Sequence, residues 1–193
     1  MVFNRRPKII ITGNRVHLRV PSKADVNSFI RMVKVSMDYH SPWVYPAADP
    51  RSYSVYIDRI SSGLTIGFLV IRNSDRQLVG VVNINDILMG GYCSGSLGYY
   101  GDVRSAGVGY MVEGLELSLQ QAFLKHNFHR LEANVQPGNY RSLKLINKLG
   151  FRKEGFSPKF LNINGVWKDH ERFALLKEEW VVSKGSDSDD TAV

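Results

Sequence analysis

The run LGYYGDVRSAGVGYMVEG, Leu97 to Gly114, decides how this chain is read. A strand-like stretch closes at Gly101, the glycine-containing segment RSAGVG follows, and Tyr110 to Phe123 continues with Met111, Leu115 and Ala122 on one helical face. Strand, glycine loop and helix in direct succession make an anion-binding arrangement. A helix start has unpaired N–H groups, its dipole places partial positive charge there, and glycines let a diphosphate approach the backbone. The spacing by itself is weak evidence, because glycines before a helix are more often plain turns. Neither GxxxxGK[ST] nor GxGxxG is present, which counts against a nucleotide triphosphatase and a dinucleotide enzyme.

Upstream, Arg15 to Val20 alternates Val16, Leu18 and Val20 with Arg15, His17 and Arg19, the pattern of a half-buried strand. Ser22 and Asp25 form a capping-box pair, and Val26, Phe29, Ile30, Val33 and Met37 repeat at helical spacing to about Asp38. HSPWVYPAADP is a loop by its three prolines, and a shorter helix carries Tyr53, Tyr56, Ile57 and Ile60 up to Gly63. Leu64 to Arg72 and Gln77 to Ile84 read as a hairpin around Asn73–Arg76. Downstream come a strand at Arg130 to Val135 and a helix at Asn139 to Leu149 capped by Gly150. Two final strands, near 151–160 and 168–176, flank Asn164-Gly165. The expected order is β-α-α-β-β-β-α-β-α-β-β, an α/β fold with a mixed sheet and helices on both faces.

The 193 residues, 44% hydrophobic and 22% charged, suit one globular domain over 1–180. The segment after Trp180, KGSDSDDTAV included, has little to bury, so 181–193 reads as a disordered acidic tail. No apolar run approaches the roughly 20 residues of a membrane-spanning helix, and the N-terminus lacks a secretory apolar region. Cys93, the single cysteine, excludes an internal disulfide and a cysteine-rich zinc site. A cytoplasmic protein with no membrane contact is expected. The net charge is +7; the last thirteen residues set Lys184 against Asp187, Asp189 and Asp190, a net −2, so the first 180 carry +9. That balance favours polyanions in the broadest sense.

GVGYMVEG, residues 107–114, resembles the coenzyme A loop of the Gcn5-related N-acetyltransferases (GNAT), close to the G-K-G-Y-M-x-E-A run of the branch that modifies ribosomal-protein N-termini. The superfamily pattern Q/R-x-x-G-x-G/A fits in two registers. Arg104-x-x-Gly107-x-Gly109 matches literally; Ala106-x-x-Gly109-x-Met111 matches the surrounding helix better, lacks the Gln/Arg, and is preferred. A second block, HRLEANVQPGNYRSLKLINKLGFRKEGF (129–156), resembles R-[IL]-E-A-x-V-x-x-x-N-x-x-S-x-x-[LV]-x-x-x-L-G-F-x-x-E-G, with Asn139, Ser142, Leu149, Gly150, Phe151, Glu154 and Gly155 in place. With GVWKDH at 165–170, the chain is most similar to RimJ- and RimL-type ribosomal-protein N-acetyltransferases, the RimJ type more closely.

This resemblance implies an acetyl-CoA-dependent N-acetyltransferase with no metal. Backbone groups of Tyr99, Tyr100 and Gly101 would bind pantetheine amides. Ala106, Gly107, Val108, Gly109, Tyr110 and Met111 would bind the pyrophosphate, and Asn139 the pantetheine arm. Ser142 would protonate or hydrogen-bond the departing thiolate, since Ile146 stands where many relatives have an acidic tyrosine. Glu132 matches the glutamate that acts, often through water, as base for the attacking amine. The implied acceptor is a protein N-terminus, an alanine of a ribosomal protein, in a direct attack within a ternary complex.

Each assignment has a plainer counterpart. Glu132 reads equally as a solvated strand residue, and Ser142 as a first-turn cap. Trp43 and Tyr45, substrate-binding residues if they wall a peptide N-terminus, read otherwise as cover for a core edge. His126 and His129 lack a third metal ligand. Arg5, Arg6 and Lys8 are a solvated arm by default, with ribosomal RNA as the other reading. Two further functions stay open: acetylation of a small-molecule amine such as a polyamine, antibiotic or amino acid, and a non-catalytic ribosome-binding module. The oligomeric state stays open between monomer and homodimer.

Overall fold

The structure is a computed structural model that describes residues 8–189, with side chains through 183. Eight strands and six α-helices follow one another: β1 (Ile9–Thr12), β2 (Val16–Arg19), α1 (Val26–Val35), α2 (Met37–His40), α3 (Pro50–Ser61), β3 (Ile66–Arg72), β4 (Leu78–Leu88), β5 (Ser94–Gly101), α4 (Tyr110–Leu124), β6 (Arg130–Val135), α5 (Tyr140–Lys148), β7 (Arg152–Ile163), β8 (Val166–Leu176) and α6 (Lys177–Asp189). The fold is mixed α/β, with antiparallel ladders and a parallel pair between β5 and β6. Two compact units divide the chain, one taking residues up to 84 with 98–119 and the other 85–97 with 120 onward.

In the first unit β1, β2, β3, β4 and the end of β5 are neighbours in that order. The strand read from Arg15 to Val20 is β2, and β1 precedes it, an addition to the expected order. Ile9, Ile10 and Ile11 give no periodicity of their own; they become a strand by pairing with Arg19, Leu18 and their neighbours on β2. β2 is also less amphipathic than its alternation implies. His17 is buried beside Val16 and Leu18, its Nδ1 2.8 Å from Asn73 Oδ1. Asp25 completes the expected capping pair by accepting from Ser22 N at 2.8 Å, and it also binds Arg19 through both oxygens.

Phe29, Met32 and Val33 of α1 pack with Tyr53 and Ile57 of α3 against Leu69 and Ile71 of β3 and Leu78 and Val81 of β4. Phe29 lies 4.7 Å from Tyr53, ring centre to ring centre, the two rings tilted by 51°. Asp49 caps α3 from Arg51 N and Ser52 N, and Pro50 occupies the first helical position.

The second unit has the start of β5 beside β6, then β8, then β7 at the edge. β6 buries Leu131, Ala133 and Val135 and leaves Arg130, Glu132 and Asn134 partly exposed, as its alternation requires. β7 and β8 meet through the turn Asn164-Gly165, both residues left-handed. Beyond β8 the chain forms α6, where composition pointed to disorder from residue 181. Its start has local causes: Glu179 accepts from Leu176 N at 2.8 Å, and Trp180 is buried 5.7 Å from the Phe123 ring. Residues 190–193, and the basic run Arg5, Arg6, lie outside the described residues.

Candidate active site

β5 delivers the chain to a sharp corner at Asp102. Its N–H donates to Val79 O at 2.9 Å, and its buried carboxylate accepts from Arg104 N and Arg104 Nε, both at 2.9 Å. Burial raises the Asp102 carboxyl and the Arg104 bonds outweigh it, leaving it below the usual range. Arg104 is thereby held back on the corner that precedes the glycines.

After the turn Val103–Ser105, Gly107 and Gly109 adopt φ of 77° and 91°, a region that excludes most side chains. α4 begins at Tyr110, and Glu113 N makes the first intrahelical bond to Gly109 O at 3.2 Å. The N–H groups ahead of it point out of the helix end, beside the backbone of Ala106–Gly109. A Cβ on Gly107 would meet nothing within 4 Å, so this side of the loop is open.

Tyr99, Tyr100 and Gly101 lead into that corner, but their groups are not equally available. The Tyr100 ring belongs to the core, edge-on to Phe29 at 6.3 Å. The Gly101 carbonyl accepts from His40 Nε2 at 2.8 Å. His40 is 4% exposed and packs 5.4 Å from the Tyr100 ring, ring centre to ring centre. Burial pushes its imidazole below the usual range, against the Gly101 carbonyl and Asp102, which both favour the cation. With Nε2 donating, Nδ1 is a buried acceptor without a partner among the described residues. Sequence reasoning passed over His40; only its place beside the proline loop pointed to it.

That loop starts immediately after His40. Trp43 N donates to His40 O at 2.9 Å, Trp43 is half-buried, and Tyr45 is 51% exposed. The start of the loop that carries the two aromatics is therefore joined to the β5 end through His40.

In the second unit Glu132 is 28% exposed at its side chain and accepts on both oxygens, from Arg130 Nε at 3.0 Å and Arg172 Nη2 at 2.7 Å. The network continues from Arg130 to Glu154 and from Glu154 to Arg152. Hydrogen bonds from Arg130 and Arg152 hold the Glu154 carboxyl down at about 2 despite some burial. Neither the solvated reading nor a free carboxylate describes Glu132. Asn139 caps α5, its Oδ1 accepting from Ser142 N at 3.2 Å, so both residues sit in the first turn of that helix.

This geometry, an open left-handed glycine loop feeding a helix start, meets a family match over residues 15–152 to the acetyltransferase (GNAT) domain. The chain belongs to the GNAT acetyltransferases. Among its relatives are the probable N-acetyltransferase YjcK of Bacillus subtilis, 28% identical over 88% of this chain and 98% of that protein, and the [ribosomal protein uS5]-alanine N-acetyltransferase of Escherichia coli, 26% identical over 90% and 94%. Mycobacterium smegmatis RimJ, solved in complex with CoA-disulfide, shares the fold with a TM-score of 0.76 at 23% identity, over 88% of this chain and 89% of that one. As a GNAT member the chain is an acetyl-CoA-dependent N-acetyltransferase. Among the described residues no helix is long and apolar enough to cross a membrane, and no group of three His, Cys, Asp or Glu side chains is placed to hold a metal.

Proposed function

We propose that this GNAT enzyme transfers acetyl from acetyl-CoA to the N-terminal α-amine of a protein, an alanine of a ribosomal protein being the expected acceptor. The observation that carries the reading is the link from Trp43 through His40 to the end of β5: a partly open loop with two aromatics and bounding prolines, its start tied to the strand that leads to the proposed cofactor loop. The relative named for uS5 alanine acetylation supports the same acceptor. The protein would then work in the cytoplasm, beside its ribosomal substrate.

Ala106–Met111 is the stretch we assign to the pyrophosphate, in the register that ends at the α4 start, because Arg104 is engaged by Asp102. Backbone groups of Tyr99 to Gly101, at the end of β5, are assigned to pantetheine. Asn139 and Ser142, at the α5 start, are assigned to the pantetheine arm and the leaving thiolate. The amine nitrogen attacks the thioester carbonyl and the C–S bond breaks. The amine's proton goes to Glu132, directly or through water, while the thiolate is met by the Ser142 hydroxyl. Each Glu132 oxygen spends one lone pair on arginine and keeps another.

The demand on a base is small. An α-amine of pKa about 7.7 to 8.0 reaches its neutral form at pH 7 for about 1 kcal/mol, against about 4.6 kcal/mol for lysine at 10.4. An acceptor panel read by mass spectrometry tests the proposal. Unblocked peptides beginning with alanine or serine are expected to gain one acetyl at the α-amine, and N-blocked peptides with an internal lysine to gain none. Comparable acetylation of lysine, or of spermidine in place of the peptides, overturns the protein N-terminus.

A further inference from the structure

Glu113 lies in the first turn of α4, one turn from the N–H groups that the proposed function gives to the cofactor's diphosphate. A bare carboxylate there would repel that ligand. It is not bare. Glu113 Oε1 accepts from Arg15 N at 2.8 Å and Val16 N at 3.3 Å, and Oε2 from Arg15 Nε at 3.0 Å. A Cβ on Gly13 would stand 2.6 Å from Glu113 Oε1, so a side chain there would have to displace the carboxylate. Burial raises its carboxyl, and the Arg15 and Val16 bonds more than reverse this.

Arg15 reaches further than Glu113. Its Nη1 donates to Val108 O at 3.0 Å, in the middle of the glycine loop, and its Nη2 would be 3.2 Å from a Cβ on Gly109. Its guanidinium also lies 5.3 Å from the centre of the Tyr110 ring, which Arg72, itself paired with Asp75, approaches at 5.6 Å. One side chain from β2's leading edge thus holds a loop carbonyl and the first-turn acid of the helix 98 residues away.

We propose that Arg15 is a positioning residue for acetyl-CoA: by fixing the Val108 carbonyl and neutralising Glu113, it leaves the loop and helix N–H groups as the face offered to the diphosphate. It does so from the residue just before β2, distant in sequence from the loop. This inference rests on the proposed cofactor loop and goes beyond it in naming a residue that touches no ligand.

Calorimetric titration with acetyl-CoA tests it, using wild type, Arg15→Gln, Glu113→Gln and the double variant, with melting temperatures taken alongside. Arg15→Gln is expected to weaken acetyl-CoA binding about tenfold or more, the scale of a lost charged hydrogen bond. The double variant is expected to recover most of that loss, because the repelling carboxylate has gone too. Acetyl-pantetheine, which has no diphosphate, should keep its KM in every variant, and Arg15→Lys should fall between wild type and Arg15→Gln. Arg15→Gln binding like wild type overturns the inference, as does a double variant no better than the single or an equal loss with acetyl-pantetheine. If Arg15→Gln does not fold, Arg15→Lys and the double variant carry the comparison. Absence of wild-type binding would instead remove the cofactor loop itself.

Discussion

Arg172 donates to Glu132 Oε2 at 2.7 Å while its guanidinium carbon stands 4.3 Å from the centre of the Phe160 ring. The acid matched to the family's base is therefore clamped by a cation that is itself packed on an aromatic face, and Arg130 holds the other oxygen. Such a carboxylate is well oriented, and each oxygen keeps a lone pair with which to accept a proton.

Glu132→Gln should accordingly slow turnover at pH 7 by about 10²-fold, the low end for general acid-base catalysis. Much of the loss should return near pH 9, where an α-amine of pKa about 8 is already neutral. The pair is partly exposed, so the cost in stability should stay below about 1 kcal/mol. A deficit equal at both pH values, with unchanged binding of both substrates, would make Glu132 a clamp for Arg172 and nothing more.

Gly109→Ala should remove the melting-temperature rise that acetyl-CoA gives the wild type. At φ 91° an alanine is strained by about 1–2 kcal/mol, and its Cβ would sit 3.2 Å from Arg15 Nη2, displacing the residue that steadies the loop. A folded Gly109→Ala protein with wild-type affinity would place the diphosphate elsewhere.

What the amino-acid order revealed and what it concealed differ by range. β6, α5 with its Asn139 cap, and the Asn164-Gly165 turn were readable because each rests on neighbours within a few residues. The glycine turn ahead of α4 was readable for the same reason. β1 was missed because three consecutive isoleucines acquire a direction only from pairing with β2. His40 and Gly101 are 61 residues apart, Arg15 and Glu113 98, and Glu132 and Arg172 40; no period or cap marks such pairs. The disordered tail was inferred from composition, which does not register that Trp180 and Glu179 supply a helix start at its edge.

His40 gives a pH test. Its imidazole titrates below the ordinary 6.5 when folded, so between that lowered value and 6.5 the unfolded chain binds more protons. Its contribution is complete above about pH 6.5 and is lost as the pH falls through that window. Burial lowers His126 and His170 as well, so wild-type melting temperature should drop from pH 7.5 to 5.5 for several reasons, and His40→Gln should remove only His40's part. A drop of the same size in His40→Gln would mean that His40 is not buried as a neutral ring.

Trp43→Ala should raise KM for the peptide and leave KM for acetyl-CoA nearly unchanged, since the proposed function gives the Trp43 loop to the acceptor and the glycine segment to the cofactor. Equal changes in both constants would make Trp43 a core cover.

Asn139 and Ser142 share a helix start, which allows their roles to be separated. Asn139→Ala removes the acceptor for Ser142 N and should cost about 1 kcal/mol of stability, read as a lower melting temperature with or without substrate. Ser142→Ala keeps that N–H and its cap, so it should lose activity out of proportion to any change in melting temperature. In the proposed reaction its hydroxyl donates to the departing sulfur, a function that higher pH does not replace, so the deficit should stay level from pH 7 to 9, unlike that of Glu132→Gln. The deficit should shrink only with a thioester whose thiol leaves more readily. A Ser142→Ala enzyme that turns over at the wild-type rate with acetyl-CoA would reduce Ser142 to a first-turn residue of α5 and leave the thiolate to be protonated by water.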